Sequence, residues 1–245
     1  MTQVAVITGG GSGIGRAAGR KLAEAGWQVV LAGRRAEMLV DAASAHPAVV
    51  PMVADVTDEA AVDRLFSETV ARFGRVDLLF NNAGSFSRPT PLPEVALADF
   101  SAALAVNVTG MFLCARAAFR VMAAQSPQGG RIINNGSISA HVPRPQAVAY
   151  TVSKHAVTGL TRALSLEGRT HDIACGQIDI GNAATDLTAG IARGSMQADG
   201  HIAPEPMMDV EHAAASVLHM ASMPLSANVQ FMTVMATAMP YIGRG

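Results

Sequence analysis

The sequence predicts an α/β protein: a single domain, 1–245, built on a doubly wound parallel sheet of about seven strands with helices on both faces. Three observations predict it. Short Val/Ile/Leu-rich runs alternate with longer Ala-rich segments of helical period. The short runs are near-continuously apolar, the mark of strands covered on both faces. A glycine-rich turn, "TGGGSGIG" at 8–15, joins the first run to the first helical segment.

The elements follow in order. "VAVIT" (4–8) reads as the first strand and 14–25 as the helix after the glycine turn. Strands are expected at 27–32 ("WQVVLA") and 49–55 ("VVPMVAD"). A helix at 58–73 starts with Thr57 as candidate N-cap and acids in its first turn. "VDLLFNNA" (76–83) is a strand, 96–124 a long helix and "RIINNGS" (131–137) the next strand. A helix at 149–168, a strand at 173–180, a helix at 209–222 and a last strand at 229–235 complete the pattern. Between them 185–208 is irregular, with Gly190, Gly194, Gly200, Pro204 and Pro206. A loop this long after a strand's carboxyl end is expected to act as a substrate lid.

Composition narrows the function classes. A net charge of −1 provides no basic field for nucleic acid, and 4% aromatics are too few for base stacking. Cys114 and Cys175 are isolated and apolar-flanked, which fits buried thiols in a reducing compartment better than a disulfide. Met1 runs straight into "VAVITGG", without a signal peptide, and no uninterrupted apolar run approaches the ~18 residues of a membrane helix. A cytoplasmic protein is expected. The 7 histidines are scattered and form no metal-ligand motif, so no metal is expected. The Met-rich "FMTVMATAM" reads as core and subunit interface.

In the glycine turn, Gly9, Gly13 and Gly15 allow a tight bend and close backbone approach to a phosphate at a helix N-terminus. The spacing is G-x-x-x-G-x-G, not the G-x-G-x-x-G of the standard dinucleotide fingerprint. The second strand ends "LAGRR": Gly33 stands where an acid would hold a ribose 2′-hydroxyl, and Arg34 and Arg35 follow. A guanidinium pairs with a 2′-phosphate, so NADP is the expected cofactor, with NAD possible. The alternative is two solvated loop charges. Tyr150 and Lys154, one helical turn apart, emerge on one face and read as an acid/base pair.

Taken together, "TGGGSGIG", "NNAG" (81–84), "NVT" (107–109), "GS" (136–137) and Tyr150-x-x-x-Lys154 stand in one order. The chain thus resembles the short-chain dehydrogenase/reductase family from residue 2 to about 225. The resemblance implies a Rossmann-type fold and hydride transfer between nicotinamide and an alcohol or carbonyl substrate. It implies Tyr150 as general acid/base, Lys154 lowering its pKa and binding the nicotinamide ribose, and Ser137 bonding the substrate oxygen. Asn107 would hold a water of a proton relay. A nearby ammonium and a cationic nicotinamide would favour the phenolate. Cofactor contacts would come from Gly9, Ser12, Gly13, Ile14, Gly15, Arg34, Asp55, Val56, Asn82, Ala83, Gly84, Tyr150, Lys154, Gly181 and Thr185.

Two departures stand out. Ile180 replaces the family's proline before Gly181, which predicts a slightly altered turn, and the last strand lacks the Asp-Gly-Gly turn. The tail 240–245 is left as a candidate contact to a neighbouring subunit in a homotetramer or homodimer. Substrate contacts are expected from 85–91, 139–147 and 185–208. His141 and Arg144 are candidates for a polar or anionic substrate, Arg144 alternatively a surface charge. Reduction of a 3-oxoacyl thioester is the alternative activity, and a non-catalytic cofactor-sensing protein the rival from another class.

Overall fold

The computed structural model describes residues 2–86 and 88–242. Ser87, within the expected substrate stretch, and the tail residues 243–245 lie outside the described residues.

The chain runs β1 (Val4–Thr8), α1 (Gly13–Glu24), β2 (Gln28–Gly33), α2 (Ala36–Ala43), β3 (Val49–Val53), α3 (Glu59–Phe73) and β4 (Leu78–Asn81). It continues with α4 (Leu97–Leu104), a π-helical segment (Ala105–Gly110), α5 (Met111–Ala124), β5 (Gly130–Asn135), α6 (Val148–Glu167) and β6 (Ile173–Gly181). The lid region holds α7 (Ala189–Arg193), β7 (Ser195–Met196) and β8 (Ile202–Ala203), and α8 (Val210–Ala221) and β9 (Phe231–Met235) close the fold. Seven strands form one parallel sheet in the order β3-β2-β1-β4-β5-β6-β9, while β7 and β8 pair antiparallel apart from it.

Alternating side chains explain the continuous apolar strands. Ile7 of β1 and Phe80 of β4 join Leu22, Leu31 and Met220 in the core on one face. Val6 and Leu79, their neighbours in sequence, join Leu65, Phe66, Leu113 and Met122 on the other. Each fully buried Leu, Ile or Phe contributes about 1.5–3 kcal/mol, so exposing either face would unfold the sheet. Winding to both sides of β1 leaves a crevice where β1 and β4 end, and the segments after those strands are the glycine turn and 82–84.

The structure departs from the expected elements in three places. Helix α2 was not expected, because its eight residues follow the Arg pair without a capping signal. Asp58, not Thr57, caps α3 by accepting from Ala60 N at 3.0 Å, while Thr57 turns back to Asp55. The run Leu97–Ala124, with a mean hydropathy of 1.6, does match a membrane-crossing helix by length and composition. Yet its buried face, including Leu113, Cys114 and Met122, packs in the core, and Arg116 pairs with Glu59 of α3. In the Met-rich stretch Ala236 and Met239 are buried against Ile138, Ala183 and Met208, as expected of core, with Tyr241 packed on them. The ladder of β6 runs through Ile180 and Gly181, which pair with Val234 and Met235, and the chain then turns at Asn182, whose φ is 51°.

Candidate active site

One cleft runs along the carboxyl ends of the strands. Its floor is stitched by side chains. The Thr8 hydroxyl accepts from the backbone N–H groups of Asn82 and Ala83, each at 2.9 Å. Asn82 donates to Thr8 O at 2.9 Å and accepts from Asn135 Nδ2 at 2.9 Å. The ends of β1, β4 and β5 are therefore held in one frame.

The glycine turn forms one end. Gly9 and Gly13 have φ of 66° and 50°, where a side chain is strained. A Cβ on Gly15 would lie 2.4 Å from Gly9 O, so only glycine lets α1 start this close to β1. The Ser12 hydroxyl makes no capping bond and the first turn of α1 carries no acid, which leaves its N–H groups and positive dipole end facing the cleft. These features fit a pyrophosphate. Thr185 leans on the same turn, its Cγ2 3.1 Å from the Cβ position of Gly13.

Next along the cleft stand Gly33, Arg34, Asp55 and Val56. Arg34 and Arg35 are exposed, and neither makes an ion pair among the described residues. Bonds from the Thr57 backbone and hydroxyl, aided by the Arg34 charge, hold the Asp55 carboxyl below its usual range.

At the far end α6 presents Tyr150 and Lys154 on one face. Lys154 Nζ donates to Asn135 O at 2.7 Å and stands 5.5 Å from the Tyr150 ring centroid. Phe86 packs on the other side of the tyrosine, ring centroids 4.3 Å apart. Burial pushes the Tyr150 phenol up to about 12; the Ser137 hydroxyl and the Arg144 charge oppose this, and the Asp179 carboxylate adds to it. The expected lowering is thus reversed in the chain by itself, because burial outweighs the cations around the ring. Burial brings Lys154 down to about 8, opposed by Asp179.

Ser137 is buried, and its backbone N–H donates to Asp179 Oδ1 at 2.8 Å. Its hydroxyl accepts from Ser139 N at 3.1 Å, so the neighbouring serine supports it. Asp179 Oδ1 also accepts from Gln177 Nε2 at 2.7 Å, and Oδ2 lies 3.0 Å from His141 Nε2.

Asn107 sits in the π-helical segment with both side-chain ends engaged. Its Oδ1 accepts from Ser85 N at 2.7 Å, and its Nδ2 donates to Ser85 O at 2.9 Å and Ser153 Oγ at 3.2 Å. It clamps the loop after β4 to α6 and makes no hydrogen bond to Lys154. Arg144 is neither a surface charge nor open to an anion, since its guanidinium grips the Glu205 carboxylate through both nitrogens, at 2.6 and 2.7 Å.

Of the expected residues, Gly9, Ser12, Gly13, Ile14, Arg34, Asp55, Val56, Asn82, Ala83, Gly84, Ser137, Tyr150, Lys154, Gly181 and Thr185 all line the cleft. Gly15 lies buried beneath the turn, and Asn107 stands behind the lining. Thr8, Asn135, Asp179 and Glu205 were missed. Asp179 had a readable signal, an acid inside an apolar strand that must find a partner. Glu205, paired across 61 residues, had none.

The comparisons agree with this geometry. The family model described as "short chain dehydrogenase" matches residues 3–195. Sulfoacetaldehyde reductase 2 of Chromohalobacter salexigens is 32% identical over 241 residues, covering 97% of this chain and 95% of that protein. A 3-oxoacyl-[acyl-carrier-protein] reductase of Synechocystis is 33% identical over 194 residues, 77% of each. Among solved structures, 3-ketoacyl-(acyl-carrier-protein) reductase from Brucella melitensis, complexed with NADH, superposes with a TM-score of 0.84 at 26% identity over 96% of both chains. A continuous strand-end cleft with its glycine turn at one end and the tyrosine–lysine pair at the other, matched across most of the chain, places this protein in the short-chain dehydrogenase family of oxidoreductases.

Proposed function

We propose that this protein is an NADP-preferring oxidoreductase that interconverts an alcohol and its ketone or aldehyde, with Tyr150 as general acid/base. The observation that carries the reading is the meeting of Tyr150, Lys154 and Ser137 at one end of a cleft whose other end is built for a pyrophosphate. The cradle fits a dinucleotide: a side chain at Gly15 has no room, and the N–H groups of α1 face the cleft uncapped. Gly9, Ser12, Gly13 and Ile14 would hold the phosphates, Asp55 and Val56 the adenine, and Asn82, Ala83, Gly84, Gly181 and Thr185 the nicotinamide half. Exposed Arg34 without an acid at Gly33 supports the 2′-phosphate and hence NADP, with NAD as the other possibility.

When bound, the nicotinamide supplies the hydride or accepts it. The chain handles the proton. In reduction the Tyr150 O–H donates to the carbonyl oxygen as negative charge develops there, and in oxidation the phenolate takes the hydroxyl proton. The Ser137 hydroxyl donates a second hydrogen bond to that oxygen. Lys154, fixed by Asn135 O, binds the ribose and stabilises the phenolate. Asn107 fixes the wall from which a relay water is held, and 185–208 acts as the lid.

A second reading, reduction of a 3-oxoacyl thioester, is supported by similarity to two reductases so named. Buried, unpaired Cys114 and Cys175 suit the cytoplasm. Exposed Phe231 at the sheet edge and Phe112, Val152 and Leu166 on the outer helices suit a homotetramer or homodimer.

Tyr150→Phe tests the function. The account expects turnover of a carbonyl panel to fall about 10²–10⁴-fold, with NADPH binding kept within about twofold. Retained turnover overturns the acid/base assignment. A protein that binds NADPH, turns over no carbonyl in either form and keeps its binding function in the variant is a sensor rather than an enzyme.

A further inference from the structure

The substrate end of the cleft has an unusual charge balance. Among the described lining residues, its cations are Lys154, anchored on Asn135 O, and Arg144. Arg144 is engaged on every side that its two terminal nitrogens offer. Nη1 donates to Glu205 Oε1 and to Ser195 Oγ, at 2.6 and 3.0 Å. Nη2 donates to Glu205 Oε2 and to Asn182 Oδ1, both at 2.7 Å. The Glu205 side chain is 1% exposed and is held further by Asn182 Nδ2 at 2.8 Å and Gln197 Nε2 at 3.0 Å. Burial by itself would raise its pKa, but the bonds from Arg144, Asn182 and Gln197 outweigh this and keep it ionised.

This cluster joins three segments: the loop before α6, the turn after β6, and the lid with its β7–β8 pair. It lies beside Tyr150 with both terminal nitrogens of Arg144 engaged. Among the described residues, the remaining charges that face this end of the cleft are carboxylates. Asp179 is buried behind Ser137, with His141 Nε2 3.0 Å from its carboxylate and the Lys154 ammonium in its field, and Asp186 stands on the lining. A substrate carboxylate or sulfonate entering here would lose its hydration and find, among the described lining residues, Arg144 already paired and only the Lys154 ammonium, which the ribose and the tyrosine oxygen claim, next to an oxygen that itself gains negative charge during reduction. Phe86, Ile138, Leu187 and Ile191 offer apolar surface instead.

We infer that the site selects uncharged carbonyl and alcohol substrates, and that Glu205 is the specificity-determining residue because it occupies Arg144 and ties the lid to the catalytic loop. The inference rests on the oxidoreductase reading above. It also separates this chain from its sulfoacetaldehyde reductase relative, whose named substrate is an anion.

The test measures kcat/KM with NADPH for acetoacetate against its methyl ester and succinic semialdehyde against its methyl ester, in wild type and Glu205→Gln. NADPH titration and melting temperature establish that the variant folds. Wild type is expected to favour the esters by about 100-fold or more, and Glu205→Gln, which leaves Arg144 with net charge, to narrow the ratio by about tenfold or more. A wild-type preference for the acids, or a ratio unmoved in the variant, overturns the inference. If NADPH binds but no member of any pair is turned over, the oxidoreductase reading is what fails. The clamp is then judged by trypsin cleavage after Arg193 in the lid. Cleavage about tenfold faster in Glu205→Gln supports it, and equal rates overturn it.

Discussion

The backbone N–H of Ser137 donates to Oδ1 of Asp179 at 2.8 Å, which sets a buried carboxylate directly behind the serine proposed to bind the substrate oxygen. A Cβ at Gly136 would fall 2.1 Å from that same oxygen, so the glycine before the serine is what admits the acid. Asp179 fixes the serine loop and acts on both titrating groups, opposing loss of the proton from Tyr150 and from Lys154.

Asp179→Asn keeps an acceptor for Ser137 N and removes the charge. Both groups then lose their protons at lower pH. Oxidation needs the phenolate, so its rate rises as pH passes upward through the tyrosine pKa. The rising limb of kcat/KM for alcohol oxidation is therefore expected to move to lower pH in the variant. An unmoved limb with lowered kcat would limit Asp179 to a structural role.

Gly15→Ala places a methyl 2.4 Å from a backbone oxygen, where no flexible side chain can yield. The start of α1 must shift, at a cost of about 1–3 kcal/mol, and the phosphate cradle moves with it. Isothermal titration is expected to show NADPH affinity reduced about tenfold or more, with thermal unfolding lowered. Unchanged affinity would show that the cradle lies elsewhere.

Lys154→Met should separate activity from stability. The lysine's folded pKa of about 8 lies below its ordinary 10.5, chiefly through burial. Between these values the unfolded chain binds more protons, so stability rises with pH across that window. Below pH 8 the folded protein carries the full cost of a buried ammonium, about 3 kcal/mol at ~1.4 kcal/mol per pH unit. Part of this is offset by the lost bond to Asn135 O. The variant is expected to be inactive yet about 1–2 kcal/mol more stable at pH 7 by urea unfolding. A large loss of stability would show that the lysine is structural.

The sheet was legible because a strand covered on both faces reads as an uninterrupted apolar run, as "VAVIT" and "LLF" do around Ile7 and Phe80. The site's lining was legible because glycine spacing and the tyrosine–lysine turn are local. What could not be read is long-range. Asp179 meets Ser137 across 42 residues and Glu205 meets Arg144 across 61; the acid inside an apolar strand marks Asp179 as needing a partner without naming it, and Glu205 carries no local mark at all. The fate of Asn107 was also hidden, since only the folded loop brings Ser85 to it. Thr57 and Asp58 are both good caps, and Thr57 lost the role because Asp55 accepts its N–H and hydroxyl. Short α2 fell below the length at which helical period declares itself.

The central claim is that this cleft binds a nicotinamide dinucleotide with Arg34 on its 2′-phosphate. A fluorescence titration of the purified protein with NADPH and with NADH tests it most directly. The account predicts that both bind and that NADPH binds about tenfold tighter or more, the excess disappearing in Arg34→Ser. Tighter NADH binding would contradict the Arg34 assignment and leave the hydride chemistry standing, whereas binding of neither would contradict the account itself.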